Sequence, residues 1–175
     1  MNLDPERHDK LVLTLSNYDR SQTNLNLAEL TMPSAVTPFV MFNGQAEEAI
    51  NFYLSVFKGS RLESIVRYGV DGMGAEGSVM HSTLFIAGQK MIFIDSAITH
   101  KFAFSPSQSF FVNCESIAEV DEYHKALSAH GKVLMPLDSY EFSARYTWVI
   151  DRFGLSWQLG HKTVAKPPEP GKSIL

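Results

Sequence analysis

An α+β fold is predicted for this chain: two βαβββ modules forming a curved, mixed, eight-stranded sheet with the helices on one face. Three observations carry that prediction. The run from Thr37 to Tyr53 reads as a short apolar strand passing into a helix. A fainter copy of it returns between Phe110 and Leu127. Each copy is followed by three further strand-like runs, so the order repeats.

In the first module, Phe39–Phe42 is short and apolar, as a strand should be. Asn43 or Gly44 is placed to cap the next helix, and Glu47 and Glu48 fall in its first turn, where the helix dipole favours negative charge. Ala49, Phe52, Tyr53 and Val56 recur at helical spacing and form one apolar stripe, with Gly59 as the stop. Leu62–Tyr68 and Val79–Ile86 read as strands, separated by the loop Gly69–Gly77. A turn centred on Gly88 then joins Val79–Ile86 to Lys90–Asp95 in a hairpin.

The second module opens with the strand Phe110–Asn113. Ser116 and Glu119 then form a Ser-x-x-Glu capping box. Ile117, Val120, Tyr123 and Leu127 make the helical stripe, which Gly131 ends. Val133–Leu137, Tyr146–Ile150 and Ser156–Leu159 supply the last three strands. The offset that pairs Phe39 with Phe110 also pairs Ala49 with Val120 and Val56 with Leu127, which points to an internal duplication.

The core domain is set at residues 35–161, with modules at about 35–104 and 105–161. Residues 1–34 differ in composition and form an N-terminal arm or extension. Residues 162–175, rich in proline, form a flexible tail. The 175 residues carry 45% hydrophobic and 19% charged side chains, an ordinary globular balance. A net charge of −4 argues against a nucleic-acid or anionic-membrane partner. No stretch approaches the roughly 20 apolar residues of a membrane span. The single cysteine, Cys114, sits in an apolar strand and reads as an inert thiol; with no secretory pattern at the start, a cytoplasmic location is expected.

Two modules side by side leave a partly apolar trough on the sheet face away from the helices. Such a surface calls for a small-molecule ligand, a second copy of the chain, or both, and a homodimer is expected. Strand parity assigns Phe42, Met91, Phe93, Phe111, Asn113 and Gln158 to that trough, together with Val40 and Ser156. Trp157 and Leu159 fall on the other face and read as core. His81 and Asp95 lie on the two arms of the hairpin. With Gly88 at the centre of a three-residue turn they stand opposite each other, either as a structural hydrogen bond or as a ligand contact. Gly72-Met-Gly-Ala-Glu-Gly77 matches a dinucleotide fingerprint in spelling only, because a strand follows it where the fingerprint requires a helix. No catalytic residue can be named.

The segments Thr37–Tyr53, Gly77-Ser-Val-Met-His-Ser82 and Asp151-Arg-Phe-Gly-Leu-Ser-Trp-Gln158 resemble the vicinal oxygen chelate superfamily of glyoxalases, bleomycin-resistance proteins and extradiol dioxygenases. Within it they are similar to the PhnB-like branch, often labelled 3-demethylubiquinone-9 3-methyltransferase. The resemblance implies four cleft-facing metal positions, which fall here at Pro38, near Phe93, at Ser109 and at Gln158. These residues do not make a divalent site, so no metal or other cofactor is expected. The leading expectation is therefore a metal-independent protein that binds a hydrophobic or aromatic compound, as bleomycin-resistance members do. The alternative is a glyoxalase- or dioxygenase-like enzyme with one divalent ion displaced onto His81, Asp95 and Gln158. Methyl transfer, as the branch label implies, ranks third because the chain offers no strand–glycine turn–helix nucleotide site.

Overall fold

The structure, a computed structural model, describes residues 35–162. The expected arm at 1–34, and the tail beyond 162, lie outside the described residues. From Thr37 onward the chain belongs to one unit. Its elements run β1 (Phe39–Phe42), α1 (Ala46–Val56), β2 (Arg61–Arg67), β3 (Val79–Ile86), β4 (Gln89–Asp95), β5 (Phe110–Asn113), α2 (Ile117–Ser128), β6 (Lys132–Tyr140), β7 (Ser143–Ile150) and β8 (Ser156–His161). This is the predicted double βαβββ order.

The eight strands divide into two four-stranded sheets, ordered β1-β4-β3-β2 and β5-β8-β7-β6. Each sheet is mixed: β1 runs parallel to β4, β5 runs parallel to β8, and the remaining pairs are antiparallel. Both modules therefore end their sheets on the short strand that precedes the helix.

The helices are anchored differently from one another. In α2 the predicted cap forms, with Ser116 Oγ accepting from the Glu119 amide at 3.2 Å, while the Glu119 carboxylate reaches one residue past the cap and Oε2 accepts from the Glu115 amide at 2.7 Å. In α1 the N-cap position is Gln45, without a side-chain cap, so neither Asn43 nor Gly44 plays that part. The cap comes from a distant strand instead. Asp95 Oδ1 accepts from the Ala46 amide at 2.9 Å, and its other oxygen accepts from the Val79 amide at 3.1 Å. The stop of α2 also departs from expectation. His130 takes the left-handed conformation (φ 62°), whereas Gly131 is needed because a side chain there would strike the Ile150 carbonyl.

The core lies between the sheets and the helices, and much of it is aromatic. Tyr53 on α1 packs against Phe93 of its own module and Trp157 of the other, with ring centroids 5.8 and 5.2 Å apart. Phe57 meets Trp157 at 4.9 Å and Tyr123 at 5.0 Å. Burial along the helices repeats at the offset that pairs Ile50 with Val120 and Tyr53 with Tyr123, one residue less than the offset read from sequence. On the strands, that shift matches Val40 with Phe110 rather than Phe111. A one-residue slip exchanges the two faces of a strand.

Candidate functional site

That slip corrects half of the predicted trough. Val40, Phe42, Met91, Phe93 and Asp95 lie beneath the helices and are almost fully buried. Phe42 and Phe93 pack against each other in a tilted arrangement, ring centroids 5.1 Å apart, in the aromatic core. In the second module the parity reading agrees with the structure. Trp157 and Leu159 face the core, while Phe111, Asn113 and Gln158 alternate to the open face. Phe111 is half exposed, and its ring tip lies where a side chain on Gly160 would stand.

The predicted His81–Asp95 pair does not form. The hairpin turns on two residues, Ala87 (φ 46°) and Gly88 (φ 82°), with Ile86 paired to Gln89 and Ser82 to Phe93. Positive φ at both central positions suits the right-handed twist of the strands. His81 then pairs with Val66 across β2 on the open face, whereas Asp95 points to the helix side. Both carboxylate oxygens of Asp95 are occupied by backbone amides, which gives it a structural task.

A cavity of about 790 Å³ opens along the seam between β1 and the start of β5. All of β1 lines it, from Phe39 to Phe42, together with Phe153–Ser156 of the β7–β8 turn and the start of β5. The inter-module linker supplies another wall through His100, Phe102, Phe104 and Gln108. His100 stacks on Phe102 at 4.5 Å, and its Nε2 is 2.9 Å from Ser96 Oγ. Among the described residues lining this cavity there is no Asp, Glu, Lys or Arg. Its polar groups are the neutral amides Asn43, Gln45 and Gln108, the hydroxyls of Ser105, Ser109 and Ser156, and one imidazole. A volume of this size, walled by aromatic rings and a few polar groups, suits a small organic ligand.

A second cavity of about 630 Å³ lies at the other end of the same seam. It takes all of β5 and the β3–β4 turn Ile86–Gln89, which mirrors the first cavity's use of β1 and the β7–β8 turn. The two meet at Pro38, Ser109 and Phe110, which line both. Of the predicted ligand contacts, Phe42 lines the first cavity, and Met91, Phe111 and Asn113 line the second. His81, Phe93, Asp95 and Gln158 line neither.

The linker walls were not found from sequence. Residues 100–108 have no helix or strand period, and the available signal was two aromatics, Phe102 and Phe104, in a loop flanked by polar residues. Phe153 and Leu155 sit in the turn of the Asp151–Gln158 segment, and that turn is built around Asp151. Its carboxylate accepts from the Phe153 and Leu155 amides (2.9 and 3.0 Å), from Trp157 Nε1 (2.8 Å) and from Tyr53 Oη (2.6 Å). Burial raises the Asp151 pKa, and the four hydrogen bonds oppose that rise. The same burial, with the Asp151 charge, holds the Tyr53 phenol well above its ordinary value. His124, also remote from the cavities, lies 3.0 Å from Thr147 Oγ1, and burial lowers its pKa.

The residues at the four resembling metal positions do not fit a divalent ion. Pro38 has no donor, and β4 offers only apolar side chains on its open face near Phe93, at Ile92 and Ile94. Ser109 is bonded to Ser156 at 2.8 Å, and Gln158 Oε1 accepts from Tyr146 Oη at 2.8 Å. Among the described residues, no three His, Cys, Asp or Glu side chains come together in a ligating cluster. The loop at Gly72–Gly77 leads into β3 and wraps the Tyr68 ring, which stands where side chains on Gly72 or Gly74 would fall.

Comparison with known proteins agrees with this architecture. A solved protein from Bacillus cereus, described as a putative 3-demethylubiquinone-9 3-methyltransferase, PhnB protein, shares 45% identity over 73% of this chain and 99% of its own, with a TM-score of 0.71. A protein of Pseudomonas aeruginosa shares 26% identity over 74% of this chain and 98% of its own, with a TM-score of 0.65. The fosfomycin resistance protein FosX of Listeria monocytogenes, solved with Mn(II), shares the fold at 12% identity, covering 76% of this chain and 95% of its own, with a TM-score of 0.54. No curated protein matches the chain. Residues 34–160 match the family model described as 3-demethylubiquinone-9 3-methyltransferase. The chain belongs to that PhnB-like family, on the glyoxalase/bleomycin resistance/dioxygenase fold.

Proposed function

We propose that this protein binds an uncharged aromatic or hydrophobic small molecule in the seam cavity, without a metal ion. The observation that carries the reading is the cavity lining: aromatic rings, amides and hydroxyls, with no Asp, Glu, Lys or Arg among the described residues. Burying an unpaired ionic group against such a wall is costly, so the lining selects neutral ligands. The mismatch of residues at the four resembling metal positions supports metal independence. Methyl transfer, which the family description names, finds little support in the chain. Its one glycine-rich segment closes on Tyr68 and precedes a strand.

A homodimer is part of the proposal. Val66, Phe111 and Phe142 are all substantially exposed on the sheets and their hairpins, a surface that a second copy would cover. Sedimentation equilibrium giving a monomer at micromolar concentration would remove this element.

Titration with Nile red, a neutral dye that brightens in apolar surroundings, tests the binding reading. Saturable enhancement is expected, unchanged by EDTA and weakened at least about tenfold by Ala103→Trp, which fills the cavity. That loss corresponds to about 1.4 kcal/mol. Retention of one tightly held zinc, nickel or iron per chain, with dye binding lost on its removal, would overturn metal independence. Dye binding indifferent to Ala103→Trp would overturn the location.

A further inference from the structure

We infer that Ser109 presents an oriented hydroxyl donor to the seam ligand, so that the site selects neutral aromatic compounds bearing a carbonyl oxygen. The inference deepens the proposed seam-binding reading and rests on it. It starts from a chain of three side chains on the second sheet. Trp148 Nε1 lies 2.8 Å from Ser156 Oγ, which in turn lies 2.8 Å from Ser109 Oγ.

The direction of this chain follows from what each group can do. An indole N–H only donates, so Ser156 accepts from Trp148. Ser156 is almost fully buried, and Ser109 is the acceptor in reach for its own hydrogen among the described residues. A buried hydroxyl left without an acceptor is costly, so Ser156 donates to Ser109. Ser109 then has its own hydrogen to offer.

Where that hydrogen goes is set by position. Ser109 is half-buried, lines the first cavity and the second, and stands with Pro38 and Phe110 where they meet. Among the described residues Ser156 is the one hydrogen-bond partner of the Ser109 hydroxyl, so its hydrogen is not taken up by that chain. Each donor in a chain strengthens the next, so the last hydroxyl is a better donor than a lone serine. Its complement on a neutral ligand is an acceptor without a hydrogen, such as a ketone oxygen. Ser109 is thus a positioning residue for the ligand, with no chemical step assigned to it.

Fluorene and 9-fluorenone test the inference, because they share one flat skeleton and differ at a single carbon, CH₂ against C=O. Affinities of both would be measured by equilibrium dialysis for the full chain and for Ser109→Ala and Ser109→Thr. The fluorenone-to-fluorene affinity ratio is expected to fall about three- to tenfold in Ser109→Ala and to be kept in Ser109→Thr, the worth of one neutral hydrogen bond. Infrared spectra of bound fluorenone supply a second readout that folding defects do not imitate. The carbonyl band is expected at lower frequency in the wild-type complex than in hydrocarbon solvent, and unshifted in Ser109→Ala. If both probes bind but the ratio is the same in wild type and Ser109→Ala, or the wild-type band is unshifted, the donor role is overturned while the cavity reading stands. If neither probe binds, the cavity reading fails and takes the donor role with it.

Discussion

Tyr53 Oη donates to Asp151 Oδ2 across 2.6 Å, and this bond ties the helix of the first module to the β7–β8 turn of the second. Both groups are buried, and the aspartate has three other donors, so the turn that forms one wall of the seam cavity is fixed by a fully satisfied carboxylate.

Tyr53→Phe removes one of four donors and leaves the ring in place. A loss of about 1–3 kcal/mol is expected in urea denaturation. Asp151→Ala strands the Tyr53 hydroxyl, the Trp157 N–H and two backbone amides together, and should cost more than Tyr53→Phe. Equal losses in the two variants would contradict the assignment of Asp151 as the hub.

The Asp151 titration gives a pH prediction of definite sign. Burial raises its folded pKa above the ordinary 3.8. The fold therefore holds the proton more tightly than the unfolded chain does, and this contribution to stability is whole below 3.8 and lost as pH rises through the folded value. Carbon-13 NMR of the Asp151 carboxyl should show its midpoint above 3.8. It should move further up in Tyr53→Phe, because a hydrogen bond that favours the charged form is gone.

Asp95 separates structural from ligand-contacting roles. Asp95→Ala leaves the Ala46 and Val79 amides without their acceptor and should cost about 2–3 kcal/mol. Asp95→Asn keeps one acceptor oxygen and should cost less. Neither residue change touches the seam lining, so Nile red affinity of the folded variants should match that of the wild type.

Two glycines should respond differently to one methyl group. Gly44 has φ +86° with open space around it, so Gly44→Ala carries backbone strain alone, roughly 1–2 kcal/mol. At Gly131 the added carbon meets the backbone oxygen of Ile150, which cannot swing aside. Thermal melts should therefore rank Gly131→Ala well below Gly44→Ala.

Cys114 should be silent toward alkylation. Burial pushes its thiol up to about 12, so little thiolate exists at pH 8. Iodoacetamide should label it only after denaturant is added, as intact-mass measurement would show.

Much of the fold was legible because strand and helix periods are local properties. β1, β3 and β5 were read to the residue, and the Ser116–Glu119 box was visible in four letters. The candidate site was legible on one sheet only. Its reading depended on two one-residue decisions that local pattern does not fix: the offset between modules and the length of the β3–β4 turn. Ala87 carries a positive φ without the asparagine or glycine that usually advertises it, so a two-residue turn was hidden. A one-residue error exchanges the faces of a strand, so Phe93, placed near a resembling metal position, and Asp95, of the same parity, were assigned to the wrong side. The cap that Asp95 gives to α1 joins residues far apart in the chain, and no short-range signal reports it.

The aromatic joint between the modules has a consequence for how the protein comes apart. Phe57 and Tyr53 complete their surroundings with Trp157, Tyr123 and Phe153, so each half borrows rings from the other. Neither repeat closes an interior by itself. Melting is therefore expected as a single cooperative event, and fragments severed within the linker should regain structure only as a mixed pair.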